Sequence, residues 1–254
     1  MTMELRHFEE LDSTMSKARE LCGTETAGSF FGVLADLQRA GRGRVPGRTW
    51  EAAPGKALLL TLAIKDLEAY VPALPLKAGL AAYDTFAGYG AELAVKWPND
   101  LMARTGETGS TWKKLAGLLC ERTGAWTLVG LGVNLLEGSC PASLENRGIS
   151  LEACVALPAA AQGSSSLAWR LELCQSFGKA FLGRLKDPNW RAAYLERMWG
   201  LHAWVGFGVG HPGAQKLKRG VLEGVDTSGS ILIQDATGAI ASYASGEIET
   251  LRPV

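Results

Sequence analysis

Residues 92–136 read ELAVKWPNDLMARTGETGSTWKKLAGLLCERTGAWTLVGLGVNLL, and this stretch decides the fold. Four short apolar runs, ELAVKW, PNDLMA, KKLAGLLCER and WTLVGLGVNLL, are separated by Pro98, a polar turn over 105–111 and the pair Thr123-Gly124. Parallel neighbours need crossovers of a dozen or more residues, so runs joined this closely pair antiparallel. Polar islands interrupt them: Lys96-Trp97-Pro98-Asn99-Asp100, Lys113-Lys114, and Gly130-x-Gly132-x-Asn134. Taken singly, Lys96 and Asp100 read as solvated or mutually paired charges, and a lysine at a strand start as a solvated one. GLGVN lacks the third glycine and the following helix of a dinucleotide fingerprint.

Upstream, FFGVLADL and ALLLTLAI read as two buried strands with QRAGRGRVPGRTW, residues 38–50, strung between them. Gly41, Gly43 and Gly47 permit close approach of backbone N–H groups, and Arg42, Arg44 and Arg48 offer planar cationic forks that fit phosphate or carboxylate. Such a loop on a rigid sheet is a functional arrangement, although a solvated Arg/Gly loop or a nucleic-acid contact has the same composition. Residues 4–11 form a strand that runs into DSTMSKARELC, a helix that Asp12, Ser13 or Thr14 can cap. A second helix spans about 75–89, with Leu76, Leu80, Tyr83 and Ala87 on one face. The helices are expected on one side of the sheet. A long amphipathic helix follows from Ser166, and after it a shorter one with Pro188 in its first turn. Beyond residue 202 the texture changes to short β-like runs joined by Asp/Thr/Ser/Gly turns, giving domains at 1–202 and 203–254.

Apolar residues make up 47% of the 254-residue chain, enough for a sizeable core. The 26 basic and 26 acidic side chains cancel, which argues against a surface that tracks nucleic acid or an anionic membrane, so any basic function is local. Five cysteines, odd in number and without a C-x-x-C pair, propose neither a disulfide framework nor a thiolate zinc site. The charged N-terminus and the lack of apolar runs near the roughly 20 residues that span a bilayer lead to a soluble, cytoplasmic protein as the expectation. His7, His202 and His211 lie too far apart to predict a metal site. No serine or cysteine has a convincing base partner, which favours chemistry in which the substrate itself attacks while the protein supplies position and electrostatics.

In order along the chain, DST at 12–14, Q-x-A-G-R-G-R and G-R-x-W at 38–50, KWPND at 96–100, KLAGLLCE at 114–121 and GLGVN at 130–134 resemble the biotin protein ligases. The segments GVLEGVDTSGSILI and SGEI resemble the small SH3-like barrel that ends that family. The resemblance implies an α+β fold. Its catalytic domain is class II synthetase-like, with a mixed, mostly antiparallel sheet, and a C-terminal SH3-like β-barrel follows. It implies ATP, Mg2+ and biotin, a biotinyl-AMP intermediate, and transfer to a lysine of a biotin carboxyl carrier protein. Lys114, Arg42 and Arg44 would be catalytic. Ser13, Thr14, Gln38, Gly41, Trp50, Gly117, Gly130, Gly132 and Asn134 would join them in binding biotin and nucleotide, and Asp100 would hold the metal or orient the acceptor amine. The family's winged-helix DNA-binding domain has no counterpart ahead of Asp12, so a form without repressor function, nucleic-acid partner or membrane partner is expected, with a homodimer left open.

Two departures stand out. Met15 follows Ser13-Thr14 where the family usually has asparagine, and Val45-Pro46 lengthen the arginine loop by one residue. The competing readings are a lipoate or octanoate ligase, a non-catalytic biotin or adenylate sensor, and an RNA-binding module built on the Arg/Gly loop.

Overall fold

The run Ala57–Lys65 is buried on both side-chain parities, as a strand in the middle of a covered sheet must be. In a computed structural model of the chain it is β3, flanked by β2 (Phe30–Gln38) and β7 (Trp126–Asn134). The structure describes residues 3–24, 29–45, 47, 49–67, 71–108, 110–141, 147–163, 166–210, 216–245 and 248–253. With β1 (Glu4–Leu11), β4 (Glu92–Lys96), β5 (Asp100–Arg104) and β6 (Lys113–Thr123) these strands form one seven-stranded sheet, ordered β1-β2-β3-β7-β6-β5-β4. The four runs of the 92–136 stretch pair antiparallel in succession, as their short connections require. The parallel pair is β1 with β2, joined through the crossover helix α1 (Thr14–Cys22). The sheet is therefore mixed and mostly antiparallel.

The helices do not all lie on one side. Helices α2 (Leu74–Ala87), α3 (Ser166–Leu185) and α4 (Trp190–Glu196) bury Leu76, Leu80, Phe177, Phe181 and Tyr194 in a core shared with Leu34, Leu60, Leu62, Val129, Leu131 and Val133. Helix α1 packs on the opposite face, where Met15 and Ala18 meet Phe31, Val33, Ala63, Trp126 and Leu128. The side-chain period of two explains the split, since neighbours such as Leu62 and Ala63 belong to different layers. Pro188 precedes α4 instead of entering its first turn. Asn189 is the N-cap residue, and the Asp187 carboxylate accepts its backbone N–H at 2.8 Å.

Strands β8 (Trp204–Val209), β9 (Lys216–Val225), β10 (Ile231–Gln234), β11 (Ile240–Tyr243) and β12 (Ile248–Pro253) form an antiparallel sheet ordered β11-β10-β9-β8-β12. This is consistent with an SH3-like domain. Among the described residues β11 and β12 are its two edges and no pairing joins them into a closed barrel. Two of its turns repeat one device: Asp226 Oδ1 accepts the N–H groups of Ser228 and Ser230, and Asp235 Oδ1 those of Thr237 and Ala239. Gly229 and Gly238 close these turns at φ of 88° and 89°, where a side chain would be strained. The sheet leans on the rest of the chain. Val205, Phe207 and Leu222 belong to the same buried cluster as α2, and Trp97 Nε1 donates to Gly229 O at 2.9 Å. Among the described residues no helix is long and apolar enough to cross a membrane.

Candidate active site

The face of the large sheet that α1 leaves open is floored by glycine. Gly117 on β6 pairs with Gly132 on β7, and Gly130 pairs with Leu119 and Thr61 on either side. Around this floor a cavity gathers Ser13, Thr14, Gln38, Arg42, Arg44 and Lys114 from four segments of the chain.

Beside Gly130 the groups are neutral and polar. Thr61 Oγ1 donates to Thr14 Oγ1 at 2.9 Å, and Thr14 Oγ1 donates to Gln38 Oε1 at 3.0 Å. The Thr14 backbone N–H also reaches Gln38 Oε1, at 2.7 Å. Because that N–H can only donate, it fixes the amide orientation and leaves Gln38 Nε2 to donate elsewhere. Ser13 is the N-cap residue of α1 but its hydroxyl makes no capping bond, so the ordinary capping reading fails there.

Three cations also line the cavity, Lys114 beside Gly117 and Arg42 toward α1, whose Arg19 shares Glu121 with it. Lys114 Nζ lies 2.6 Å from Asp100 Oδ1, and Arg42 Nη2 is 3.4 Å from Glu121 Oε2. Arg44 Nη1 donates to the Ser245 carbonyl of the C-terminal sheet at 2.7 Å. A bulge positions the lysine. Ala116 pairs with Leu101 and Lys114 with Met102, so Leu115 is extra, and Leu115 and Ala116 both enter the core. Lys114 and Gly117, three residues apart, thereby reach one cavity, whereas a plain strand would put them on opposite faces. Asn99 holds the adjoining strand in place: its carbonyl accepts from Leu118 N and its Nδ2 donates to Leu118 O. Burial first, and then the nearby cations Lys114 and Arg252, pull the Lys96 ammonium below its ordinary pKa, while Asp100 opposes them. On the filled face of β6, burial pushes the Cys120 thiol up to about 12, which leaves it protonated and inert at neutral pH.

Trp50 lies over the glycine floor. A Cβ on Gly132 would fall 2.6 Å from its ring and one on Gly117 3.1 Å away. The indole Nε1 is buried without a hydrogen-bond partner, and Lys114 Nζ sits 5.6 Å from the ring centroid. The cavity left beside the ring is about 60 Å3, well short of the ~300–1,000 Å3 of ordinary ligand sites. A hairpin at the base of the arginine loop sets the indole's position. Arg42 bridges Thr49, and Trp50 N donates to Gly41 O at 2.9 Å. Gly41 is needed there because a Cβ would fall 2.4 Å from Trp50 O.

Most of the residues singled out from the sequence converge on this cavity, but Gly41, Asp100 and Asn134 stand behind its wall. Asn134 is 5% exposed, with Nδ2 3.5 Å from Lys114 O, where it braces the bulge. Arg48 lies outside the described residues. Among the described residues no group of three or more His, Cys, Asp or Glu side chains could hold a metal ion. The sequence reading missed Thr61, which looks like one more strand residue, and Arg252, which lies more than a hundred residues from Lys114.

Residues 8–135 match the model of the biotin/lipoate A/B protein ligase family. The chain is 30% identical to the biotin-acetyl-CoA-carboxylase ligase of Mycobacterium tuberculosis over 92% of its own length and 84% of that protein's. It is 31% identical to the enzyme of the same name from Paracoccus denitrificans, over 89% of this chain and 92% of that one. The structure is similar to that of a biotin protein ligase from Aquifex aeolicus in complex with biotin and ATP, with a TM-score of 0.78, 25% identity and 99% of each chain covered. The chain belongs to the biotin/lipoate A/B protein ligase family.

Proposed function

We propose that this chain is a biotin ligase that activates biotin with ATP and passes the biotinyl group to a lysine of a carrier protein. The observation that carries the reading is the polarity of the site. Neutral donors and acceptors at Thr14, Gln38 and Thr61 gather beside Gly130, Lys114 sits at Gly117, and Arg42 and Arg44 line the same cavity over a floor without side chains. A molecule with a polar uncharged head, an apolar middle and an anionic end matches that arrangement. The relatives of 30% and 31% identity are named for biotin ligation to acetyl-CoA carboxylase, which favours biotin over lipoate or octanoate.

In the first step a biotin carboxylate oxygen attacks the α-phosphorus of ATP. The bond to the β-phosphate breaks and pyrophosphate leaves, giving biotinyl-AMP. Negative charge on the α-phosphate rises as the bond forms, and Lys114, with Arg42 and Arg44, would meet that charge. In the second step the carrier lysine's neutral ε-amine attacks the acyl carbon, AMP leaves with the bonding electrons, and the amine loses a proton. The substrate is the nucleophile in both steps.

Trp50 now fills space the reactants need, so it would lift from Gly117 and Gly132 and settle on the adenine. Lys96 and Arg252 extend the positive field toward where the departing pyrophosphate would lie. Asp100 fits magnesium as the lone protein carboxylate beside a phosphate-bound ion, since such ions commonly take one or two carboxylates and the substrate's own oxygens. The ion would neutralise the triphosphate, and Lys114 would exchange Asp100 for phosphate as it arrived. Residues 203–254 would help with nucleotide binding or carrier docking, while biotin capture would lie within residues 1–202.

Pyrophosphate release with biotin, and separately with lipoate, tests the proposal. Release with biotin and little with lipoate is expected; the reverse would move the chain to the lipoate branch of its family, and no release with either would leave a sensor.

A further inference from the structure

We infer that Met15 is the residue that sets which ring systems the site accepts. The inference rests on the proposed biotin chemistry and adds a selectivity filter to it. Met15 is the second residue of α1 and 4% exposed, and its thioether presses on the glycine floor: Sδ lies 3.1 Å and Cγ 3.4 Å from where a Cβ on Gly130 would be. It also lines the cavity with Leu119, the pairing partner of Gly130, whereas Lys114 Nζ lies at Gly117, two positions along β6.

Charge orients the substrate. The carboxylate goes to Lys114 at Gly117, so the bicyclic head lies toward Gly130 and α1. Within that head the ureido group, which donates and accepts, matches Ser13 and the Thr14–Gln38 pair. The sulfur-bearing ring is the apolar half and is left to Met15, Leu119 and the bare backbone of Gly130. A methionine fills such a gap with a flexible, polarizable chain that offers no strong donor or acceptor. It would therefore select by shape and apolarity, excluding a ring enlarged or made polar at sulfur. Nothing can retreat beneath it, because Met15 is backed by Ala18, Phe31, Val33 and Ala63 of its buried cluster.

The experiment measures pyrophosphate release with biotin and with biotin sulfone, which carries two oxygens on the ring sulfur. The unaltered protein should favour biotin by about tenfold or more in kcat/KM, the scale on which an apolar pocket rejects a small steric change. Met15→Ala should shrink that ratio at least about fivefold through KM, with kcat for biotin kept because the reacting atoms lie at Lys114. Met15→Leu, of similar volume, should keep the original ratio. Should Met15→Ala fail to fold by thermal melting, Met15→Val carries the same expectation with a smaller change. An equal loss for both substrates in a folded truncation, or an unchanged ratio, overturns the inference while biotin turnover by the unaltered protein upholds the functional reading. Absence of turnover by the unaltered protein with biotin overturns both.

Discussion

The two faces of the seven-stranded sheet are carried by the same strands and have opposite fates. On β7, Val129, Leu131 and Val133 point to α2 and α3 and are at most 2% exposed. The alternate positions Gly130 and Gly132 point the other way and leave room for an indole and a cavity. One face is filled with side chains and holds the fold together. The other has been emptied of them and edged with hydroxyl, amide and cationic groups. Stability and chemistry are thus separated by a single residue step, and substitutions one position apart should report on different properties.

The largest effect expected is that of Lys114→Ala. Loss of one charge-stabilising contact at the transferring group costs ~3–4 kcal/mol, on the order of a hundred- to thousandfold in the rate of adenylate formation, with ATP binding much less affected. Lys113→Ala is the control one residue away and should stay within about twofold. Comparable pyrophosphate release from the two variants would remove Lys114 from its role and the bulge from its significance.

Leu131→Ala tests the filled face. Its side chain is 2% exposed within the main core, although the residue also borders the cavity between Gly130 and Gly132, and its truncation should lower unfolding stability by about 3 kcal/mol in urea titration with a much smaller change in turnover per folded molecule. A variant of normal stability and poor turnover would mean that the two faces are not separable.

Thr61→Val probes the start of the hydroxyl relay. It removes the donor to Thr14 but leaves Thr14 bonded to Gln38, a cost of about 1 kcal/mol, seen as a roughly fivefold rise in KM for biotin at unchanged kcat. A fall in kcat alone would place Thr61 nearer the reacting atoms than the neutral end of the cavity.

The smallest effect expected is a shift in pH profile. The Lys96 ammonium is disfavoured in the fold, mainly by burial, so it loses its proton below the ordinary 10.5. Turnover that uses this charge should decline as pH rises through the lowered value. Lys96→Arg should move that decline upward, whereas coincident alkaline limbs would exclude Lys96 from the phosphate field. The linked effect on stability has the opposite sign: between the lowered value and 10.5 the unfolded chain binds more protons, so folding stability rises with pH.

Much of this was legible in the residues. The brevity of the turns within 92–136 compelled antiparallel pairing, the change of texture near residue 202 marked the second sheet, and the order of five short motifs pointed to the family. Local geometry governs each of these, and local geometry is what a sequence expresses directly.

Contacts between distant segments were not legible. That α1 lies opposite the other helices depends on which side the crossover from β1 to β2 takes. The bulge at Leu115 arises because Leu115 and Ala116 both gain by burial in the core, which turns Lys114 toward Gly117 against the simple period of two. The resting partners of the arginines, Glu121 for Arg42 and the Ser245 carbonyl for Arg44, come from parts of the chain far from the loop. Sequence by itself determined which side chains could carry the chemistry and where the strands of the 92–136 stretch would run. Tertiary packing decided which of them share a cavity, because burial and charge pairing act through space and take no account of separation along the chain.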